Sequence, residues 1–185
     1  AVYGAAWPKL DFGAARLIVS FGADFLDAWG LPVPQQLDFA DARGKIEGAP
    51  RFIYIGPRRS LTGLNADQWI APKPGTLGAI AQMLAGKMSV AAAAAATDVP
   101  AKTLDALNKE VQGVKRSLLI AGATGGAALE LALEVNNLNK SLGNVGITVK
   151  TAEAYGAYDG VAPASALNDV VASMAAGEVP VLFVR

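Results

Sequence analysis

The sequence predicts an α/β fold, a parallel β-sheet with helices on both faces. Three observations carry this. The apolar runs at 15–21, 51–56 and 116–122 lack the polar alternation of a half-solvated strand and read as strands buried on both sides. Segments with helical stripes or helix-end signals stand between them. Buried strands alternating with helices make βαβ units, whose strands run parallel.

In chain order, ARLIVSF (15–21) is rich in β-branched residues and stops at Gly22. LPVPQQLDFADARG (31–44) sets Leu31, Val33, Leu37 and Phe39 on an approximate helical stripe that Gly44 ends. RFIYIG (51–56) is the second strand, and QWIAP (68–72) a short extended piece. TLGAIAQMLAGK (76–87) is a helix with Thr76 as its N-cap and Gly86 near its end. The alanine-rich SVAAAAAATDV (89–99) is a further helix. Thr97 or Asp98 then caps PAKTLDALNKEVQG (100–113), with Pro100 at an early position. RSLLIAG (116–122) is the third strand. The helix over 125–143 presents Leu129, Leu133, Val135, Leu138 and Leu142 as its apolar face. Residues 145–163 read as a Gly- and Tyr-rich loop with room for one short strand. ALNDVVASMAAGE (166–178) is a helix, and VPVLFVR (179–185) a last strand. Residues 1–185 are expected to form a single three-layer, Rossmann-like domain, whose abrupt ends suggest a fragment of a larger subunit.

Composition narrows the chemistry. Sixteen basic and sixteen acidic residues cancel, so neither a nucleic-acid surface nor an acidic tail is indicated. The hydrophobic fraction of 52% is enough for a sizeable core. With no Cys and no His, the chain itself supplies no thiolate for zinc or an iron–sulfur cluster, and no imidazole base. Residues 89–99 fall short of the roughly 20 residues of a membrane span, and no direct membrane insertion is expected. The opening residues lack the basic-then-apolar order of a signal peptide.

In parallel α/β sheets ligands sit beyond the carboxyl ends of the strands. The loops to weigh therefore follow Phe21, Ile55, Ile120 and Val184. In the first, Gly22 and Ala23 let backbone approach a ligand closely. Asp24 and Asp27 either pair for acid–base work or serve as a helix cap and a solvated carboxylate. Phe25 and Trp29 form an apolar lip or pack in the core. In the second, Arg58 and Arg59 can grip a phosphate with help from Ser60 and Thr62, or one of them pairs with Asp67 or a loop carboxylate. In the third, Gly122, Gly125 and Gly126 precede a helix whose N-terminus can receive an anion. GATGG lacks the spacing of a dinucleotide fingerprint.

Four stretches in this order, LIVSFGADFLDAWG, FIYIGPRRSLTGLNADQWIAPKPGT, LLIAGATGG with NNLNKSLGNVG, and MAAGEVPVLFVR, resemble one domain of the molybdopterin oxidoreductase superfamily. The resemblance implies that Gly22, Arg58, Ser60, Thr62, Gly75, Thr76 and Gly122 lie where members hold molybdopterin guanine dinucleotide. The chain departs from the pattern at informative places. Asp24-Phe25 stands for Asn-Pro, Gly56 for the Asp of Asp-Pro-Arg, and Leu77 for the Asp of Pro-Gly-Thr-Asp. Gly56 and Leu77 offer no side-chain acceptor to a guanine edge, and Asp24 repels a pyrophosphate. The combination looks most like the molybdopterin-like B subunits of alternative complex III, which keep the fold without the cofactor. That likeness implies iron–sulfur clusters elsewhere in the subunit, partner domains and subunits in a membrane-associated quinol-oxidising complex, and a periplasmic face.

Three readings follow. The chain is a scaffold domain with a vestigial site, no cofactor of its own and no catalytic residues. Alternatively it belongs to an active molybdenum or tungsten enzyme and binds the guanine dinucleotide. The third, a stand-alone nucleotide-binding domain, sits badly with the missing glycine fingerprint.

Overall fold

The computed structural model describes residues 8–122, 127–154 and 166–181. The chain falls into two compact units, Ala1–Tyr155 and Gly156–Arg185. In the first, the order is β1 (Pro8–Leu10), β2 (Leu17–Phe21), α1 (Pro32–Arg43), β3 (Arg51–Ile55), α2 (Leu61–Leu64), β4 (Gln68–Ile70), α3 (Leu77–Leu84), α4 (Val90–Thr97), α5 (Ala101–Gly113), β5 (Ser117–Ala121), α6 (Ala128–Ser141) and β6 (Val149–Ala154). The second unit holds α7 (Ala166–Ala175), with Leu167, Val170, Val171 and Met174 at helical spacing.

Four strands form one all-parallel sheet in the order β4-β3-β2-β5. Leu17 lies beside Arg51 on one side and Ser117 on the other. This is the three-layer, Rossmann-like arrangement that the buried apolar runs predict. A separate antiparallel ribbon pairs β1 with β6, so the expected loop over 145–163 contains a strand. Of the expected last strand, Val179–Val181 carry no strand pairing, and 182–185 lie outside the described residues.

Strand alternation divides the core in two. Leu17, Val19, Phe21, Ile53, Ile55 and Leu119 point to one face, which α3, α4, α5 and α6 cover. Ile18, Phe52, Tyr54, Leu118 and Ile120 point to the other. There Phe12, Phe25, Phe39 and Phe52 form an aromatic cluster with ring centroids 5.0 to 5.9 Å apart. Most contacts are tilted or edge-on, the arrangement that ring quadrupoles favour. Burying each such side chain contributes about 1.5–3 kcal/mol.

Two helices turn a different face inward from the one their leucines suggest. In α1 the buried residues are Gln35, Phe39 and Ala42, whereas Val33 and Leu37 are 66% and 62% exposed. Gln35 is tolerated inside because its Oε1 accepts the Leu31 N–H at 3.2 Å, an orphan donor of the first turn. In α6 the inward stripe is Leu131, Val135, Leu138 and Asn139, and Leu129 and Leu133 are exposed. Asn139 takes the place of a neighbouring strand. Its Nδ2 donates to Leu119 O at 2.8 Å and its Oδ1 accepts from Leu119 N at 3.2 Å, on the outer edge of β5. Thr148 Oγ1 donates to Ser117 O at 2.7 Å one pleat away.

The helix ends also differ from expectation. Ser89 caps α4 through the Ala92 N–H at 3.2 Å. Asp98, expected before α5, instead closes α4 in a left-handed conformation, φ +60°. Thr97 Oγ1 is turned back to Ala93 O at 2.7 Å, and Pro100 occupies the α5 cap position without a side-chain bond. Thr76 holds the α3 N-cap position, but its hydroxyl donates to Lys73 O at 2.7 Å and caps no helix N–H.

Candidate functional site

Chain order along the sheet sets the place of the site. From β2 the chain moves outward to β3 and β4, then returns to place β5 on the other side of β2. The loops leaving β2 and β5 diverge at that switch, and a crevice opens beyond the strand ends. A cleft of about 910 Å³ lies there. Gly22, Asp24 and Trp29 line it from the first loop, Tyr54 from β3 and Arg58 from the loop after it, Gly75 and Leu77 from the start of α3, Gly122 from the end of β5, and Glu130 and Glu134 from α6.

The floor is held tightly. Gly22 turns the chain at φ +69° as β2 ends, and its N–H donates to Ile55 O at 2.9 Å. Ser20 Oγ both accepts from Ala23 N at 3.0 Å and donates to Ala23 O at 2.9 Å, fixing the next residue. Gly122 packs against that same residue. A β-carbon on Gly122 would lie 2.8 Å from Ala23 N and 2.7 Å from Ala23 Cβ, so only glycine fits.

Asp24 is the hub of the polar side. Its Oδ1 accepts from Tyr54 OH at 3.0 Å and from Ser60 Oγ, and its Oδ2 faces Arg58 Nη2 at 3.6 Å. Tyr54 is 3% exposed, and its ring is wedged between two glycines. β-Carbons on Gly56 and Gly63 would approach it to 2.8 Å and 2.9 Å. Burial raises the Tyr54 pKa, the Ser60 hydroxyl works the other way, and the bond and charge of Asp24 add to the rise. The phenol therefore stays a neutral donor to the Asp24 carboxylate.

Of the residues implied by the resemblance, Gly22, Arg58, Gly75 and Gly122 meet in the cleft. Ser60, Thr62 and Thr76 are not among its lining residues. Ser60 caps α2, accepting from Gly63 N at 3.2 Å while donating to Asp24. Thr62 is fully buried, and its Oγ1 accepts from Leu26 N at 3.2 Å. Phe25 belongs to the aromatic core, Trp29 to the cleft, and Asp27 is exposed. Gly125 and Gly126, and the loop after Val184, lie outside the described residues.

The two arginines of the second loop part company. Arg58 pairs with the loop carboxylate Asp24, and Arg59 stacks on Trp69 at 5.8 Å. Asp67 binds neither. It takes a two-pronged bond from Arg43 at 2.7 and 2.8 Å and the Phe52 N–H at 2.7 Å. Burial tends to raise the Asp67 pKa, but the Arg43 and Phe52 bonds outweigh it and hold the carboxyl below its usual range.

Sequence reasoning missed Tyr54, Glu130 and Glu134 as cleft residues. The signals were present: an aromatic in a strand that glycines follow at positions 56 and 63, and two glutamates at i, i+4 on the helix that opens after the switch strand. Among the described lining residues, three carboxylates face one arginine. Lys87 offsets Glu134 from outside the lining, at 2.8 Å. Among the described residues no group of three His, Cys, Asp or Glu side chains is placed to hold a metal, and no helix is long and apolar enough to cross a membrane.

No family model matches the chain. A curated relative does, the menaquinone reductase, molybdopterin-binding-like subunit of Nitratidesulfovibrio vulgaris (strain Hildenborough). The two are 28% identical over 160 residues, which cover 73% of this chain and 23% of the relative. The chain thus spans less than a quarter of the length of the curated relative it matches. That likeness bears out the resemblance carried by the four ordered motifs: the chain is similar to part of a molybdopterin-like subunit of a quinone oxidoreductase.

Proposed function

We propose that this chain is a scaffold domain of a molybdopterin oxidoreductase-like subunit in a multi-subunit, quinone-linked electron-transfer complex, and that its cleft does not take the guanine dinucleotide of the cofactor. The observation that carries the reading is the polar cluster around Asp24. Tyr54 and Ser60 donate to that carboxylate and the exposed Arg58 faces it at 3.6 Å, so the polar side chains of the loop already have partners within the protein. The Tyr54 ring occupies the space beside Gly56 where the superfamily pattern has an aspartate. Leu77 brings an apolar side chain where that pattern has another. A guanine edge placed there would keep unpaired donors, at about 1–3 kcal/mol each. A pyrophosphate would meet three carboxylates and one arginine already paired. The residues present do not fit the dinucleotide, and no catalytic step is assigned to them.

The relative's name supports the setting, a subunit of a menaquinone reductase. Calorimetric titration of the full subunit with guanosine diphosphate tests the reading. No saturable heat is expected. Saturable binding that Arg58→Ala abolishes would overturn it in favour of the active-enzyme reading.

A further inference from the structure

The opposite end of the sheet, where the strands begin, holds a second concavity of about 370 Å³. Its walls gather three cations and one carboxylate. Arg16 and Arg116 immediately precede β2 and β5, and the register of Leu17 with Ser117 sets them side by side. Arg16 N–H donates to Arg116 O at 2.9 Å. Lys45 enters from the turn after α1, its Nζ placed 3.6 Å from where a Gly13 β-carbon would be; Asp11 Oδ1 lies 3.5 Å from the same point, its carboxylate turned to the Ala14 N–H and to Lys150. Among the described residues, Lys9, Arg43, Arg51, Arg58, Lys73, Lys87, Lys109 and Lys150 each have a carboxylate partner. Arg16, Lys45, Arg59, Lys102, Lys115 and Arg116 have none among the described residues, and three of these six, Arg16, Lys45 and Arg116, line the concavity together with Glu47.

The backbone is adapted to this gathering. Arg16 Nη1 donates to Gly48 O at 3.0 Å, which fixes the guanidinium and leaves its other donors free. Gly48 takes the left-handed conformation, φ +74°, that brings its carbonyl to that nitrogen. Arg116 sits at φ +65°, a left-handed conformation that disfavours any side chain and suits glycine. An arginine held in that conformation beside another arginine is a strained arrangement of the kind found at ligand sites.

We infer that this concavity binds a doubly charged oxyanion of the phosphate-monoester class. Three cations against Glu47 leave a surplus of two positive charges, which matches the roughly −1.5 to −2 charge of a phosphate monoester at neutral pH. The two guanidinium forks supply paired N–H donors with the geometry phosphate oxygens accept, and Lys45 adds a point charge. This inference is independent of the reading of the upper cleft.

The test titrates the full subunit with inorganic phosphate and with glycerol phosphate at fixed ionic strength, with chloride as control. Vesicles with and without phosphatidic acid form a third arm. Arg116→Gly is the informative variant, because it removes the charge while relaxing the backbone, and Lys45→Gln is its companion. Saturable phosphate binding that weakens by about tenfold or more in each variant is expected. Arg116→Gly should unfold at a temperature no lower than the parent. Binding confined to the phosphatidic acid vesicles and lost in both variants would assign the oxyanion to a lipid headgroup and uphold the site. Absence of saturable binding in every arm, or binding that both variants leave unchanged, overturns the inference.

Discussion

Tyr54→Phe isolates the bond on which the closed cleft depends. The substitution keeps the ring between Gly56 and Gly63 and deletes only the hydroxyl that donates to Asp24 at 3.0 Å. A hydrogen bond to a charged group contributes about 1.5–3 kcal/mol. Asp24 is partly solvated, its side chain 22% exposed, and it retains Ser60 and Arg58. The expected loss is therefore at the low end, about 1–2 kcal/mol, or roughly 2–8 °C in melting temperature for a chain of this size. Urea denaturation of Tyr54→Phe, Asp24→Asn and the double variant gives the coupling between the two groups, expected at about 1 kcal/mol. Burial first, and then the Asp24 bond and charge, give Tyr54 a pH signature. The Tyr54 pKa is raised in the fold, so its contribution is complete below the ordinary tyrosine value, about 10, and is lost as pH climbs through the folded value. Tyr54→Phe should flatten that alkaline decline. Stability within about 0.3 kcal/mol of the parent, with no coupling to Asp24, would refute the account.

Three further outcomes follow from the geometry. Gly122→Ala forces a β-carbon into Ala23, which Ser20 holds at both its N–H and its carbonyl, so a loss of about 1–3 kcal/mol or more is expected in denaturant titrations. Because the Asp67 pKa is lowered in the fold, its contribution is present above the ordinary carboxylate value, about 4, and is lost as pH falls through the folded value. Asp67→Asn should reduce the acid dependence of stability by about 1 kcal/mol, a figure kept small because both it and Arg43 are close to a third exposed. Asn139→Leu leaves Leu119 N–H and C=O without partners, at about 1–3 kcal/mol, and amide exchange at Leu119 should quicken while β3 amides stay protected.

The strands were legible because burial on both faces leaves short apolar runs, LIVSF, RFIYI and SLLIA, whose length and following glycines at 22, 56 and 122 favour strand over buried helix. The helix faces were less legible because each inward stripe contains an amide. Gln35 and Asn139 look like surface residues until their bonds to Leu31 N and to the edge of β5 are known. Leucines on the outer side then drew the stripe the wrong way. Asp98 and Thr97 failed as caps for a related reason, since Thr97 is the last residue of α4 and Asp98 its C-cap. At the cleft, the loop positions followed from sheet topology alone. What individual side chains do there followed only in part: the pairing of one arginine with a loop carboxylate was among the alternatives and holds for Arg58, whereas the partners of Ser60 and Thr62 were beyond what sequence spacing reveals.

The packing of Tyr54 against Gly56 and Gly63 links three positions of the chain. A side chain placed at 56 or 63 would meet the ring at 2.8 or 2.9 Å, while trimming Tyr54 would leave a void costing about 3–5 kcal/mol. Substitutions at these sites are therefore expected to be interdependent: a larger residue at either glycine is tolerated only together with a smaller one at 54.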